Sequence, residues 1–267
     1  MHVLPLVAAI VASALIATSA YRANALTRSG ALTAVVIGSL TLSAGWRWGA
    51  FLTLWFFSAS LLSRAGRARK ARHVDDMVEK HGARDARQVL ANGAAFATCA
   101  VASLFWPEAR WPVAAAASLA AAGADTWATE LGTWIQSEAW SVRTFQRVTA
   151  GTSGAVTILG TSAMLIGAAA YALLAAVLGL IPLHAWVAVT IGAIGGATAD
   201  TLVGAWVQER RWCGSCNRPT EQLHHRCGAR TEVIGGVRGL DNDLVNTMAT
   251  VLGAGVAVLL LQCGRSA

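Results

Sequence analysis

The chain has 267 residues, 55% of them hydrophobic and 13% charged, with a mean hydropathy of +0.51. Soluble domains carry about 25% charged residues, so this composition excludes an ordinary water-soluble enzyme. The formal charge of +7 does not mark a nucleic-acid binder, because the basic residues are confined to particular loops between apolar runs.

The apolar runs are, in chain order, Val3–Ala20, Ala31–Gly45, Gly49–Leu62, Val89–Trp106, Val113–Ala124, Ala155–Ile181, Trp186–Val207 and Leu244–Leu261. A membrane span takes roughly 17–25 residues, and most of these runs qualify once their edges are included. Ala31–Gly45 and Gly49–Leu62 are short and read either as two tight spans or as one re-entrant hairpin. Only helices and closed barrels satisfy their backbone in lipid, and these runs are too long for barrel strands. The expected fold is therefore all-α: a polytopic membrane bundle of about 7–8 helices. Ala23-Asn24-Ala25 resembles a signal-peptide cleavage site. The segment before it has no Lys or Arg and further spans follow, so it reads as a membrane helix. The expected organisation is N-terminal membrane helices over 1–62, a basic loop over 63–88, and a core over 89–262 containing the polar loop 208–241.

Every Lys and Arg except Arg47, Arg110 and Arg265 falls in one of four loops: 20–30, 63–88, 135–153 and 208–241. With eight spans these loops share one side, and the positive-inside rule makes that side cytoplasmic. Both termini then lie outside, in a cell inner membrane. Trp46, Trp48, Trp106, Trp111 and Trp186 fall at the outer interface, and Trp134, Trp140, Trp206 and Trp212 at the inner one, as an aromatic belt.

An internal repeat places two acids. "WPVAAAASLAAAGADT" and "WVAVTIGAIGGATADT" each begin with Trp and end in Ala-Asp-Thr, with Trp111 and Trp186 each 14 positions before Asp125 and Asp200. Both segments run from outside to inside, which favours a parallel duplication of a two-helix unit. At 1.5 Å per residue the interval covers about 21 Å, against a hydrocarbon core of about 30 Å. Both aspartates should therefore lie in the inner third of the membrane. The loop Thr149–Thr157 and the segment Asp241–Thr247 reach the same level.

Asp125, Thr126, Thr129 and Glu130 are expected to line one broad polar side of their helix. A carboxylate in a span needs a partner, a cation or water. Helix–helix hydrogen bonding is the bland reading, most of all for the two threonines. A second Asp at the matching position favours Mg²⁺, held by Asp125, Glu130 and Asp200, since proteins hold Mg²⁺ with carboxylates and phosphate oxygens. In "DNDLVNT", Asn242 and Asn246 share a helix face and read as catalytic or ligand contacts, with Asp243 beside them. Asp241 or Asn242 would cap the helix. Gly151, Thr152, Ser153 and Gly154 form a short Gly-flanked loop at a predicted helix N-terminus, where amides and dipole bind phosphate. It lacks the Gly-Lys-Ser/Thr ending of a Walker loop. Arg147 is either a phosphate partner or a topology charge, and Thr201 joins the substrate-side residues. Gly192-x3-Gly196 allows close helix packing.

Cys213-x2-Cys216, followed by His224, His225 and Cys227, sits in a polar loop on the reducing side. Three thiols and one of the two histidines would make a structural zinc knuckle; free thiols are the alternative. A disulfide is disfavoured there. Cys99 and Cys263 sit in apolar runs and read as packing residues. The loop 63–88 reads as a solvated helix of mixed charge, with Asp75, Asp76 and Glu79 among its bases, able to touch anionic membrane lipid.

Taken together, "GADTWATELG", "GTSGAVTILGT", "GGATADTLVGAWVQ" and "LDNDLVNTMATVLGA" resemble the transmembrane protein 19 family of integral membrane proteins, over Gly123 to Gly253. The family's characterised plant members are phytyl-phosphate kinases. The resemblance implies phosphoryl transfer from a nucleoside triphosphate to an isoprenoid monophosphate, giving a prenyl diphosphate. Looser similarity runs to dolichol and phytol kinases, which favour CTP. The cysteine loop is similar to that of some bacterial members and absent from others, which argues against a catalytic role. An isoprenoid monophosphate is already a nucleophile, and phosphoryl transfer is mostly positioning and charge neutralisation, so no general base is required. The rivals are a polyprenol or phytol kinase and a cation-dependent transporter. Against the transporter, the polar groups sit toward one face rather than at the midplane, and the duplication is parallel.

Overall fold

A computed structural model describes residues 3–70, 82–134 and 139–264. The stretch 71–81, with Arg72, Asp75, Asp76, Glu79 and Lys80, lies outside the described residues. The described chain forms eight helices: α1 (Val3–Arg22), α2 (Arg28–Ser43), α3 (Trp46–Lys70), α4 (Ala86–Phe105), α5 (Arg110–Trp134), α6 (Ile158–Val177), α7 (Trp186–Trp206) and α8 (Asn242–Cys263). Four of them, α4, α6, α8 and α7 with the turn before it, are long and apolar enough to cross a membrane. Leu15, Leu32, Ile166, Val177, Val251 and Leu259 point outward from the helices, as a lipid-facing surface requires. The chain is a helical membrane protein, as its hydropathy implies.

The helix starts follow side-chain chemistry. Thr27, Thr157 and Asp241 cap α2, α6 and α8 by accepting a hydrogen bond from an amide of the first turn. Asp85 and Gln88 form a capping box on α4. The two short apolar runs become α2 and α3, joined at Gly45, whose φ of +134° suits glycine. Beside this turn, Arg47 donates to the Gly179 carbonyl at 3.4 Å, in the α6–α7 connection. At the opposite end of the hairpin the Thr27 amide donates to the Arg84 carbonyl at 3.0 Å. The hairpin thus runs from the Gly45 turn to the Arg84 loop, as two packed helices. The α3 helix continues to Lys70, so Ser63 and Arg64 are helical.

The core helix is α5. Every residue from Val113 to Ala124 is buried, and α3, α4, α6, α7 and α8 all pack on it. A helix apolar all round belongs inside, and its alanines let neighbouring backbones approach. The close approach expected at Gly192 and Gly196 is made with α8. A Cβ at either position would stand 2.6 Å from a carbonyl oxygen, that of Gly253 or Ala249. One expectation fails: Trp48 is not in the outer aromatic belt but in the core, its ring 5.8 Å from that of Phe96. Its position on α3 turns it toward α4. Cys99 packs against the core, but Cys263 is exposed at the end of α8, not packed.

Gly196 lies against Ala121, and Asp200 feels the charge of Asp125. Both pairs are 75 positions apart, the same shift that aligns Trp186 with Trp111. Hence α5 and α7 lie side by side, parallel, in the register of the repeat. After α5 come β1 (Ala139–Ser141), β2 (Arg147–Val148) and β3 (Ala155–Val156); after α7 come β4 (Arg210–Cys213), β5 (Arg218–Thr220) and β6 (Glu232–Gly235). In each set the first strand is central and pairs antiparallel with the other two. The repeated unit is therefore helix, three-stranded sheet, helix.

The four basic loops meet on one face. Arg64 donates to the Ala23 carbonyl, Arg87 to Asp241, and Ser153 to Glu221. Reporter fusions after position 75 and at the C-terminus are expected on opposite sides of the membrane, the first cytoplasmic. Both reporting the same side would overturn the eight-crossing arrangement.

Candidate functional site

Asp125 on α5 and Asp200 on α7 are both half-buried, stand at matching positions of two packed helices, and influence each other electrostatically. Asp200 Oδ2 is shielded from solvent and has no hydrogen-bond partner among the described residues. A buried acceptor left unpaired is costly, so such an atom calls for a cation, a proton or a ligand. Thr126 and Thr201, the residues following the two acids, donate to the carbonyls one turn back, Ala122 at 2.8 Å and Ala197 at 3.3 Å. The duplication thus extends to individual hydrogen bonds. Each hydroxyl keeps its lone pairs for a ligand. Thr129, one turn beyond Asp125, is exposed.

Glu130 goes elsewhere. Five residues along a helix turn it about 140° away from Asp125. Ser63 of α3 donates to its Oε1 at 2.8 Å, and its charge acts on Arg84. The expectation that Asp125 and Glu130 share one polar side therefore fails, because the helical turn sends them to different neighbours. Arg84 also donates to Ser60 Oγ at 3.1 Å and lies over the rings of Trp55 and Phe56. Burial pulls the Arg84 guanidinium below the ordinary arginine pKa, and Glu130 opposes that shift. The other residues of "GADTWATELG" are packing residues. Gly123 admits the Tyr171 ring, Gly132 admits Gly160, and the Trp127 indole donates to the Tyr171 hydroxyl at 3.0 Å.

The Gly151–Gly154 stretch is not a helix N-terminus. It is the turn between β2 and β3, and α6 begins only after the Thr157 cap. Gly151 and Gly154 adopt φ of +91° and +74°, which breaks the helical path. The turn presses on α7: a Cβ at Gly154 would stand 2.3 Å from that of Ala205. This contact sets Ser153 beside Gly204, one turn past Asp200 on α7, with Ser153 donating to Glu221 Oε1. Glu221 in turn acts electrostatically on Asp200. Arg147 stands exposed on β2 over the Trp140 ring.

At α8, Asp241 is the cap, accepting from the Leu244 amide at 3.1 Å. Arg87 of α4 pairs with Asp241 at 2.5 Å and with the buried Asp243 at 3.7 Å. Asn242 and Asn246 are half-buried on a shared face. The antiparallel register of Gly196 with Ala249 and Gly253 puts Asn246 level with Asp200.

Sequence reasoning missed Arg84, Arg87 and Glu221 as site residues. By sequence the two arginines are only charges of the basic loop 63–88. The Asp85–Gln88 capping box was the available signal, since it sets both arginines at the start of a membrane helix. For Glu221 no signal existed in a polar loop.

Among the described residues, one group of His, Cys, Asp or Glu has ligand atoms all within 4.8 Å of one another: Cys213, Cys216, His225 and Cys227. His224 is exposed and not part of it. The Cys227 thiol is lowered to about 6, first by the Ala229 backbone amide and then by His225. Cys216 is raised to about 11, chiefly by its hydrogen bond with Cys227.

Fold and site together define a polytopic membrane protein with a duplicated helix–sheet–helix core and an acid pair at the repeat contact. Residues 11–254 match the family model described as "Integral membrane protein DUF92", and the chain belongs to that family. It is similar to Protein PGR of Arabidopsis thaliana, 28% identical over 92% of this chain and 93% of the relative. Uncharacterized membrane proteins of Methanocaldococcus jannaschii (29% identical; 90% of this chain, 87% of the relative) and a Synechocystis strain (29%; 84% and 78%) are also similar. No solved structure matches the chain.

Proposed function

We propose that the chain is a phosphotransferase that uses a nucleoside triphosphate, CTP by preference, to phosphorylate an isoprenoid monophosphate of phytyl-phosphate type. The observation that carries this reading is the shielded Asp200 Oδ2, which has no hydrogen-bond partner among the described residues, at the repeat position matching Asp125. Such a pair suits Mg²⁺, which proteins bind through one or two carboxylates plus substrate phosphates. When bound, the metal would offset charge on the transferred phosphoryl group.

The rest of the work falls to the chain. Thr152 and Ser153, whose turn packs on α7 one turn past Asp200, would exchange their bonds to the Thr149 carbonyl and Glu221 for phosphate oxygens. Asn246 is level with Asp200 and positions the nucleotide, with Asn242 one turn nearer the surface. An oxygen of the substrate phosphate attacks the γ-phosphorus, the bond to the β-phosphate oxygen breaks, and the nucleoside diphosphate leaves. Arg84, with Glu130 beside it, offers a cation for the substrate head. A partly open apolar groove between α1, α2, α3 and α4 is lined by Ile16, Ile37, Leu52, Phe56 and other apolar groups, with Arg84 and Gln88 among its polar lining. A prenyl chain fits that chemistry, apolar along its length and charged at one end.

The test is labelled-nucleotide binding and prenyl diphosphate formation by purified protein in detergent, with and without Mg²⁺, across prenyl monophosphates of several lengths. Mg²⁺-dependent product formation is expected. Protein inert with every prenyl phosphate and prenyl alcohol, yet moving a solute in liposomes, would overturn the reading in favour of a transporter.

A further inference from the structure

The second sheet carries a group that the phosphotransfer chemistry does not use. Cys213 ends β4, buried, and Cys216 lies in the turn leading to β5. Asn217, at φ +53°, closes that turn, and Arg218 pairs back with Cys213. The chain then returns through a tight loop, in which the His225 amide donates to the Ala229 carbonyl at 3.0 Å and the Gly228 amide to the His225 carbonyl at 2.8 Å. This loop brings His225 and Cys227 under the hairpin. Cys213 Sγ and Cys227 Sγ are 3.6 Å apart, and His225 Nδ1 is 3.2 Å from Cys227 Sγ. The sulfur separation is far longer than a disulfide bond of about 2.05 Å. It is close to the roughly 3.8 Å that two thiolates adopt at tetrahedral angles on zinc, each at about 2.3 Å.

What this hairpin holds matters for the acid pair. Glu221 follows β5 directly, between Thr220 and Gln222. Thr231, buried, donates to the Gln222 carbonyl at 2.6 Å, and Arg211 donates to the Thr231 carbonyl at 3.1 Å. Arg211 is itself locked to Glu209 at 2.5 Å, both side chains nearly enclosed. The loop carrying Glu221 is therefore tied at one end to β4 and at the other to His225 and Cys227. Glu221 projects from it to Ser153 and toward Asp200.

We propose that Cys213, Cys216, His225 and Cys227 bind one zinc ion, and that this ion fixes the segment presenting Glu221 to Ser153 and Asp200. Glu221 thereby becomes a third carboxylate of the site, supplied by a metal-organised loop from the second repeat. The soft thiolate set selects zinc rather than a hard cation. Four protein ligands with no open position make the ion structural. The first sheet has no equivalent ligands and turns instead through Gly151 and Gly154, so the two halves of the duplication serve different roles.

The test is metal analysis of full-length protein purified in detergent without chelator, for wild type, His224→Ala, His225→Ala and Cys227→Ser, followed by trypsin digestion with and without a zinc chelator. Wild type and His224→Ala should each hold one zinc per chain. His225→Ala and Cys227→Ser should retain at least about tenfold less, a ligand loss. Chelation should speed cleavage at Arg226 and Arg230 in wild type. Replacement of the zinc in wild type by cobalt should give thiolate-to-metal absorption, which keeps the assignment testable if a variant fails to fold. Wild type without zinc sinks the site, as does zinc lost in His224→Ala and kept in His225→Ala. Unchanged cleavage after proven zinc removal sinks the positioning role. All these readouts are independent of kinase activity.

Discussion

Asp125→Asn and Asp200→Asn should each insert and fold, yet lose at least about a hundredfold in turnover to prenyl diphosphate, each tenfold being about 1.4 kcal/mol of transition-state stabilisation. The volume of the side chain is kept, so packing at the α5–α7 contact is preserved. What is lost is negative charge where the two parallel helices of the repeat set Asp125 and Asp200 at matching positions. A Mg²⁺–nucleotide complex held by one acid and one amide is held less firmly. The double variant should be little worse than either single variant, because groups acting on one centre are not additive. Glu130→Gln should lose less. It faces Ser63 and Arg84 rather than Asp200, so its loss should appear mainly in the KM for the prenyl substrate. Near-normal turnover in both Asp variants would return these acids to a structural role.

The second large effect is expected on stability. Gly196→Leu should prevent assembly of the core, and Gly196→Ala should cost about 1–3 kcal/mol, as overpacking does. A Cβ at this position would meet the Ala249 carbonyl oxygen at 2.6 Å, the Ala121 Cβ at 2.7 Å and the Gly253 Cα at 3.2 Å. Two of these three are backbone atoms, which cannot swing aside. The control is Gly255→Ala on α8, where no atom lies within 4 Å. That change should stabilise slightly, by the helix propensity gained, roughly 0.5–1 kcal/mol. Unfolding by denaturing detergent, followed by circular dichroism, measures both. Equal stability for Gly196→Ala and wild type would contradict the three-helix contact of α5, α7 and α8.

Much of this architecture is legible in the chain itself. Hydropathy alone marks the spans, because lipid tolerates no unpaired backbone and so demands long apolar helices. The basic loops sort to one face, and the structure brings those same loops together. The Trp-to-Asp interval places Asp125 and Asp200 in register, since a parallel repeat carries each residue to the depth of its counterpart. The local chemistry of Asp85, Thr157 and Asp241 marks where helices begin.

Other features depend on tertiary structure alone. Helical spacing turns Glu130 about 140° from Asp125, but only the packing of α3 supplies Ser63 as its partner. Trp48 is amphipathic enough for an interface and is instead core, because α3 presents that side to Phe96. The Gly151–Gly154 stretch has the composition of a phosphate-binding helix start, yet it is the turn of a sheet too short to announce itself. Arg87, Glu221 and His225 acquire their roles from partners 154, 68 and 12 positions away, at Asp241, Ser153 and Cys213. Periodicity and capping are local properties, set by neighbours within a turn or two of the chain. A partner reached across the bundle is decided by which helix faces meet, and that choice is made by the packing of the whole core around α5.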